Sequence, residues 1–339
     1  MSNRRIGILA GGNWILDRVK VIDYYPEQDG LARILEQSES NGGSPYNLLK
    51  DLAKLNAPFP LAGVGRVGQD EAGDLVLKDC RAHGIDVGQI RRTAGATSYT
   101  DVMTVKSSGR RTFFHQAGAN RLLEAGDFRL AASRAKVFHL GYLLLLDRLD
   151  EVKTDGLTGA ARLFREAQRL GFKTSADVVS ENSDRAPAVI NPSLPAINYL
   201  FINDFEAERI AGVFIRRGED ADWEGLSSAA QMLIDRGVND LACIHCPAGA
   251  LARTGSGHEI RQASVDLPAE KVVGTVGAGD AFAAGVIFGL HEEWELEASL
   301  RLGVCAAASS VCHPASSQGV LSWRDCLQLG ETFGFLEPA

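Results

Sequence analysis

The 339 residues carry a formal net charge of −8 at pH 7, which argues against a general nucleic-acid binder, because neutralising phosphates needs a basic face and no long basic run supplies one. With 45% hydrophobic and 23% charged residues, the chain has the proportions of a globular protein with a sizeable core, not of a disordered or fibrous one. No apolar run is long enough for a membrane: GYLLLLD at 141–147 falls far below the ~18 residues a spanning helix needs.

The amino terminus, MSNRRIGILAGGNW, places two arginines before an apolar stretch. Its apolar part, Ile6 to Ala10, is too short for an export signal and runs into Asn13, Trp14 and Asp17, so it reads as the first strand of a cytoplasmic enzyme. Short apolar runs then recur at 58–65, 136–141, 172–179, 198–203 and 240–246. Between most of them lie amphipathic stretches such as 155–171, where Leu163, Phe164, Ala167 and Leu170 fall at helical spacing and Gly171 is a natural stop. This alternation predicts a mostly parallel sheet with helices on both faces, which binds ligands beyond the carboxyl ends of its strands.

Two stretches break the rhythm. Residues of about 15–40 and 93–118 look like strand pairs, the second turning at the SSGR of 107–110. They are either a small sheet closing over the ligand edge, as a lid, or two ordinary surface hairpins. The CIHC of 243–246 has metal-like spacing, but a structural zinc needs a second ligand pair and only Cys305, Cys312 and His313 are candidates. Its alternating context predicts a strand with reduced core cysteines.

Chemistry concentrates in GTVGAGDAFAAG, residues 274–285. A glycine turn opening a helix exposes backbone N–H groups and the positive helix end, a cradle for an anion, and Gly277, Ala278 and Gly279 let a phosphate approach closely. Asp280 beside that cradle is a general base for an attacking hydroxyl or else an acidic helix cap. Asn203 and Glu206, in an NxxE spacing directly after an apolar strand, either organise a hydrated Mg²⁺ or cap a helix.

These motifs together resemble the PfkB/ribokinase family of carbohydrate and nucleoside kinases. GTVGAGDAF is similar to the family's DTxGAGDAF, NGGSPYNLLKDLAKL followed by GVGRVGQDEAG resembles its earlier glycine motif, and Asn203 to Glu206 matches NxxE. The resemblance implies a ribokinase-like three-layer α/β/α sandwich over 1–339 as one domain, a β lid through which the chain dimerises, and MgATP-dependent phosphorylation of a hydroxymethyl group. It makes Asp280 the base and the amides of Gly277, Ala278 and Gly279 the anion hole. Asn203 and Glu206 take the metal, through water, and the phosphates, with a monovalent cation as a further candidate cofactor. GNWILD and GGSPYN make Asn13, Asp17, Gly42, Gly43 and Asn47 the acceptor contacts, and IHCPAGAL puts Pro247 and Gly249 in the nucleotide-binding turn. Two positions depart from the family: Gly274 stands for its first aspartate and Pro247 for a glycine. A sugar kinase with a ribose-like acceptor, a nucleoside kinase with Trp14 or Tyr46 on a base, and a sugar-binding or regulatory protein without turnover are the three functions consistent with this pattern, in that order. Membrane and nucleic-acid partners are not expected.

Overall fold

The computed structural model describes residues 4–216 and 221–337; residues 1–3, 217–220 and 338–339, which the 1–339 domain span includes, lie outside the described residues. The strands are β1 (Ile8–Gly12), β2 (Ile15–Ile22), β3 (Ile34–Gly42), β4 (Leu61–Gly68), β5 (Ile85–Thr93), β6 (Ser98–Val105), β7 (Arg111–Gln116), β8 (Val137–Leu143), β9 (Lys173–Val178), β10 (Tyr199–Asn203), β11 (Leu241–Cys246), β12 (Gly249–Thr254) and β13 (Glu259–Ala263). Nine of them form one sheet in the order β13-β12-β11-β10-β9-β8-β1-β4-β5, parallel except for the β11-β12-β13 end. The six core strands expected from sequence are present with ends shifted by up to three residues. The half-exposed edge strand β5 and the β12-β13 hairpin gave no periodic signal of their own.

Helices cover both faces. Leu163, Phe164 and Ala167 of the helix Gly159–Arg169 bury into one apolar cluster with Phe138, Leu140 and Leu200. Its Thr158 side chain caps the first turn by accepting from Ala161 N at 3.0 Å. The other face is held by the helices Ser44–Lys54, Ala278–His291 and Leu296–Val311, packed with Trp14, Phe201 and Phe288. The result is an α/β/α sandwich with its core in two layers, one on each side of the sheet.

The two strand pairs that break the rhythm meet in one separate sheet, β3-β2-β6-β7, whose central pair β2-β6 is parallel. Ser40, Asp17, Thr100 and His115 stand opposite one another across its four strands. In the main sheet β1 lies between β8 and β4, so the connections diverge to either side of it. That divergence leaves a crevice at the carboxyl ends of β1 and β8.

Trp14 follows β1 directly and is fully buried, its Nε1 donating to the Val64 carbonyl at 2.8 Å. Gly63 and Gly65 make room for it: a Cβ on Gly65 would lie 2.2 Å from the indole. Gly65→Ala should therefore displace Trp14 at a cost of about 1–3 kcal/mol, read as a lower urea midpoint by tryptophan fluorescence. An unchanged midpoint would mean that the indole has room the packing does not show.

Candidate active site

A cavity of about 680 Å³ opens where the carboxyl ends of β8 to β11 face the small sheet, and Asp17, Tyr142, Asp177, Glu206, His245 and Asp280 are among its walls. The sheet ends supply Asp177 from β9, Asn203 from β10 and His245 from β11. The small sheet supplies Asp17 and Thr100, and every second residue of β7, Arg111, Phe113 and His115, faces inward as strand alternation requires.

The helix Ala278–His291 begins at this cavity. Gly277, with φ 78°, makes the left-handed turn into it, and no side chain caps it. The first amides of a helix have no partner within it, and Gly277 and Gly279 line the cavity. Ala278 does not line it; its N–H reaches the Thr275 carbonyl at 3.4 Å. A Cβ on Gly279 would lie 2.9 Å from the His245 ring. Burial pushes that imidazole down to about 4, so it stands neutral beside the helix end at physiological pH.

Asp280 lies in the first turn but is no cap. Its carboxylate accepts from Asn47 Nδ2 at 2.8 Å and from the Tyr142 hydroxyl, which is 2.9 Å from one oxygen and 2.8 Å from the other. Asn41 Nδ2 donates to Asn47 Oδ1 at 2.7 Å and to Ser317 Oγ at 2.8 Å, which fixes the Asn47 amide with its NH₂ toward Asp280. Burial first, then the Asp177 charge, pushes the Asp280 carboxyl up to about 7. Burial and the Asp280 charge push Asp17 to about 7 as well, against a hydrogen bond from Thr100. Two acids in one dry cavity with raised pKa values are suited to exchanging protons near neutral pH.

Asn203 and Glu206 form a reciprocal capping box: Glu206 N donates to Asn203 Oδ1 at 2.8 Å, and Asn203 N to Glu206 Oε2 at 2.9 Å. The cap and the cavity position coexist, since both residues line the cavity. Glu206 is buried, not solvated, and burial raises it to about 8 despite donors from Asn203 and Ser180. Asp177, unforeseen from sequence, leaves Oδ1 buried without a partner, while its Oδ2 lies 3.4 Å from His139 Nε2.

Several residues singled out by sequence stand elsewhere. Asn13 is fully buried behind the wall, its Oδ1 accepting from Tyr142 N at 2.5 Å and its Nδ2 donating to the Leu145 carbonyl at 3.0 Å, so its amide is spent on the chain. Gly42 does not line the cavity; it clears space for Asp17, whose carboxylate a Cβ there would meet at 2.4 Å. Gly43 and Asn47 do line it. Pro247 occupies the two-residue turn between β11 and β12, and Gly249 (φ 151°) packs so closely on β13 that a Cβ would meet the Gln262 carbonyl at 2.2 Å; neither lines the cavity. Gly274 is outside it too, against Pro314, and is not among the glycines of positive φ. Trp14 and Tyr46 pack on each other in the core, 5.6 Å apart. Cys243 and Cys246 lie on β11, and among the described residues no group of three or more His, Cys, Asp or Glu could hold a metal.

Tyr142, Arg111 and His115 escaped the sequence reading. Arg111, whose guanidinium hydrogen-bonds the Thr275 hydroxyl, reaches from the small sheet to the loop before Gly277. Alternation along β7 was the signal for it. Tyr142 sits inside an apolar run and had none.

The fold together with the family match makes the chain a phosphotransferase. The chain belongs to the family described as pfkB family carbohydrate kinase, which residues 13–323 match, and its acceptor is an alcohol group. It is 25% identical over 306 residues to the ATP-dependent ribose-1-phosphate kinase of Halopiger xanaduensis, covering 90% of this chain and 92% of that one. Ketohexokinase of Mus musculus is 25% identical over 329 residues, 93% and 98% of the two chains. The ribokinase of Arabidopsis thaliana complexed with ribose and ATP shares the fold with a TM-score of 0.77 at 21% identity, over 96% of this chain and 98% of that one. Among the described residues no helix is long and apolar enough to cross a membrane.

One acid belongs to the site's surroundings without touching the cavity. Asp51 is fully buried, and burial raises it well above the ordinary value against a hydrogen bond from Ser317. A carboxyl raised by folding keeps its proton after the unfolded chain has released it, so stability falls as pH rises above the unfolded value. Asp51→Asn should flatten that fall by about 1.4 kcal/mol per pH unit across the window in which the native acid stays protonated. Urea denaturation at about pH 5, 6, 7 and 8 reads the slope; an unaltered slope would show that Asp51 does not carry the proton.

Proposed function

We propose that the chain is an ATP-dependent sugar kinase that transfers the γ-phosphoryl group to a hydroxymethyl group of a ribose-like or other small sugar. The observation that carries this is the Asp280 carboxylate, raised toward neutrality and lining the cavity in the first turn of a helix whose end no side chain caps. Asp280 accepts the proton of the attacking hydroxyl. The amides of Gly277 and Gly279, which line the cavity, hold the transferring phosphoryl group together with the positive helix end. Asp17 accepts acceptor hydroxyls, with Gly43 beside it, and Asn47 acts through Asp280.

Mg²⁺ fits the oxygen donors at the sheet ends. Asn203, Glu206 and the unpartnered oxygen of Asp177 would hold it through water, since Mg²⁺ keeps its own waters and few direct protein ligands. When bound it offsets charge on the β- and γ-phosphates. The small sheet serves as the lid, and its exposed Tyr24, Ile34, Leu35 and Phe114 support dimerisation through it. Six free cysteines fit a reducing cytoplasm. With Trp14 and Tyr46 spent on core packing, a sugar is the better acceptor than a nucleoside. Gly274 and Pro247, the two departures that argued for lost turnover, lie outside the cavity walls.

A screen of ribose, fructose, 2-keto-3-deoxygluconate and nucleosides with MgATP tests the assignment; turnover on nucleosides alone, or none on the whole panel, would overturn it. Asp280→Asn should fold normally and lose kcat by about 10² to 10⁴. Near-normal kcat would remove Asp280 from the mechanism. Asp17→Ala leaves acceptor hydroxyls unpaired, at about 1.5–3 kcal/mol for bonds to a charged group, so the acceptor KM should rise by about tenfold or more while the ATP KM stays within about twofold. The opposite pattern would place Asp17 on the nucleotide side.

A further inference from the structure

Asp280 is pressed from several elements at once. Asp17 from β2, Asp51 from the helix Ser44–Lys54, Asp177 from β9 and Glu206 from the helix after β10 all act on it, or it on them, as like charges. His139 on β8 is the one basic group among those acting on it in the opposite sense. His245, against Gly279, is held neutral, and Arg111 is engaged at Thr275. A base in such company tends to be protonated and idle at neutral pH.

Among the described residues two side chains donate to its carboxylate, Asn47 and Tyr142. The phenol lies within hydrogen-bond distance of both oxygens while the amide of Asn47 meets Oδ2, so the two donors together hold the carboxylate in one orientation. Burial and the Asp280 charge raise the phenol well above its ordinary value, so the shared proton stays on Tyr142 and is donated. The residue is also built in. Asn13, itself fully buried, receives the Tyr142 N–H and donates to the Leu145 carbonyl, clamping both sides of the turn that carries the ring.

The geometry points to Tyr142 as a positioning residue for the base: its hydroxyl orients the Asp280 carboxylate toward the acceptor and keeps it ionised among the surrounding acids. This rests on the assignment of Asp280 as the base, while the contact itself does not. Tyr142 also lines the cavity, and the lone pairs its hydroxyl leaves over can accept from a sugar hydroxyl.

The test is a carboxyl-carbon NMR titration of the protein without substrates, with ¹³C-labelled aspartate and the Asp280→Asn variant to assign the signal. In Tyr142→Phe the Asp280 midpoint should move up by about one to two pH units, the equivalent of one lost hydrogen bond to a charged group. Fluorotyrosine installed at position 142, a stronger donor, should move it down. With MgATP and the best acceptor of the panel, the acid limb of the kcat profile should shift upward in Tyr142→Phe by the same amount, with the ATP KM unchanged. An unmoved midpoint in a variant of unchanged circular dichroism overturns the inference. If the wild type phosphorylates nothing on the panel, the kinase assignment fails, and the titration still decides whether Tyr142 governs Asp280.

Discussion

A carboxylate has been taken out of water and set beside the positive end of a helix that itself calls for an anion. Much of the molecule around the cavity answers to that placement of Asp280. Its charge must be matched by donors, so Asn47 and Tyr142 point at it. Each donor must be held in turn, which enlists Asn41 and Ser317 for one and Asn13 for the other. The Asn13 clamp sits at the end of the parallel β1-β8 ladder, where a Cβ on Gly12 would lie 1.6 Å from the Gly141 carbonyl. Requirements of a single functional group thus propagate into the two strands at the divide of the main sheet.

The electrostatics of the cavity are lopsided for the same reason. Acids crowd the side facing the small sheet and the ends of β9 and β10, while the helix end and Arg111 gather at the loop before Gly277. Raised carboxyls are the cost of the acid-lined side, and they lower stability as pH rises. The fold tolerates it because two large apolar layers lie on either side of the sheet.

Sequence carried the layered fold because each core strand is a short apolar run and each helix an amphipathic one, a pattern that burial on both faces of a parallel sheet imposes. It carried the glycine turn, Asp280 and the NxxE pair because local spacing alone determines a helix start. Contacts made across the fold left less trace. Asn13 looked like a sugar contact from its neighbours Trp14 and Asp17, yet alternation after β1 turns it inward to hold β8. Asp177 and Tyr142 end apolar strands whose composition reports burial and nothing about the cavity beyond. Pro247 and Gly249 belong to a tight hairpin whose chemistry is that of turns. The capping box at Asn203 shows the limit most clearly: the spacing describes the cap, and only the neighbouring strands reveal that the two capping residues also line the cavity.

The parallel pairing of β2 with β6 bears on how the protein comes into being. Lys20 and Asp101, joined across that pair, are 81 residues apart in sequence. A hairpin can form from its own local contacts, but this pair cannot zip until the intervening β4 and β5 have been laid down, because its loop closure must precede any reward. On the ribosome the wall bearing Asp17 and Thr100 is therefore assembled after the first part of the main sheet exists. Until then β2, already paired with β3 on one side, leaves its other edge without a strand, so this segment of the nascent chain needs protection from premature pairing.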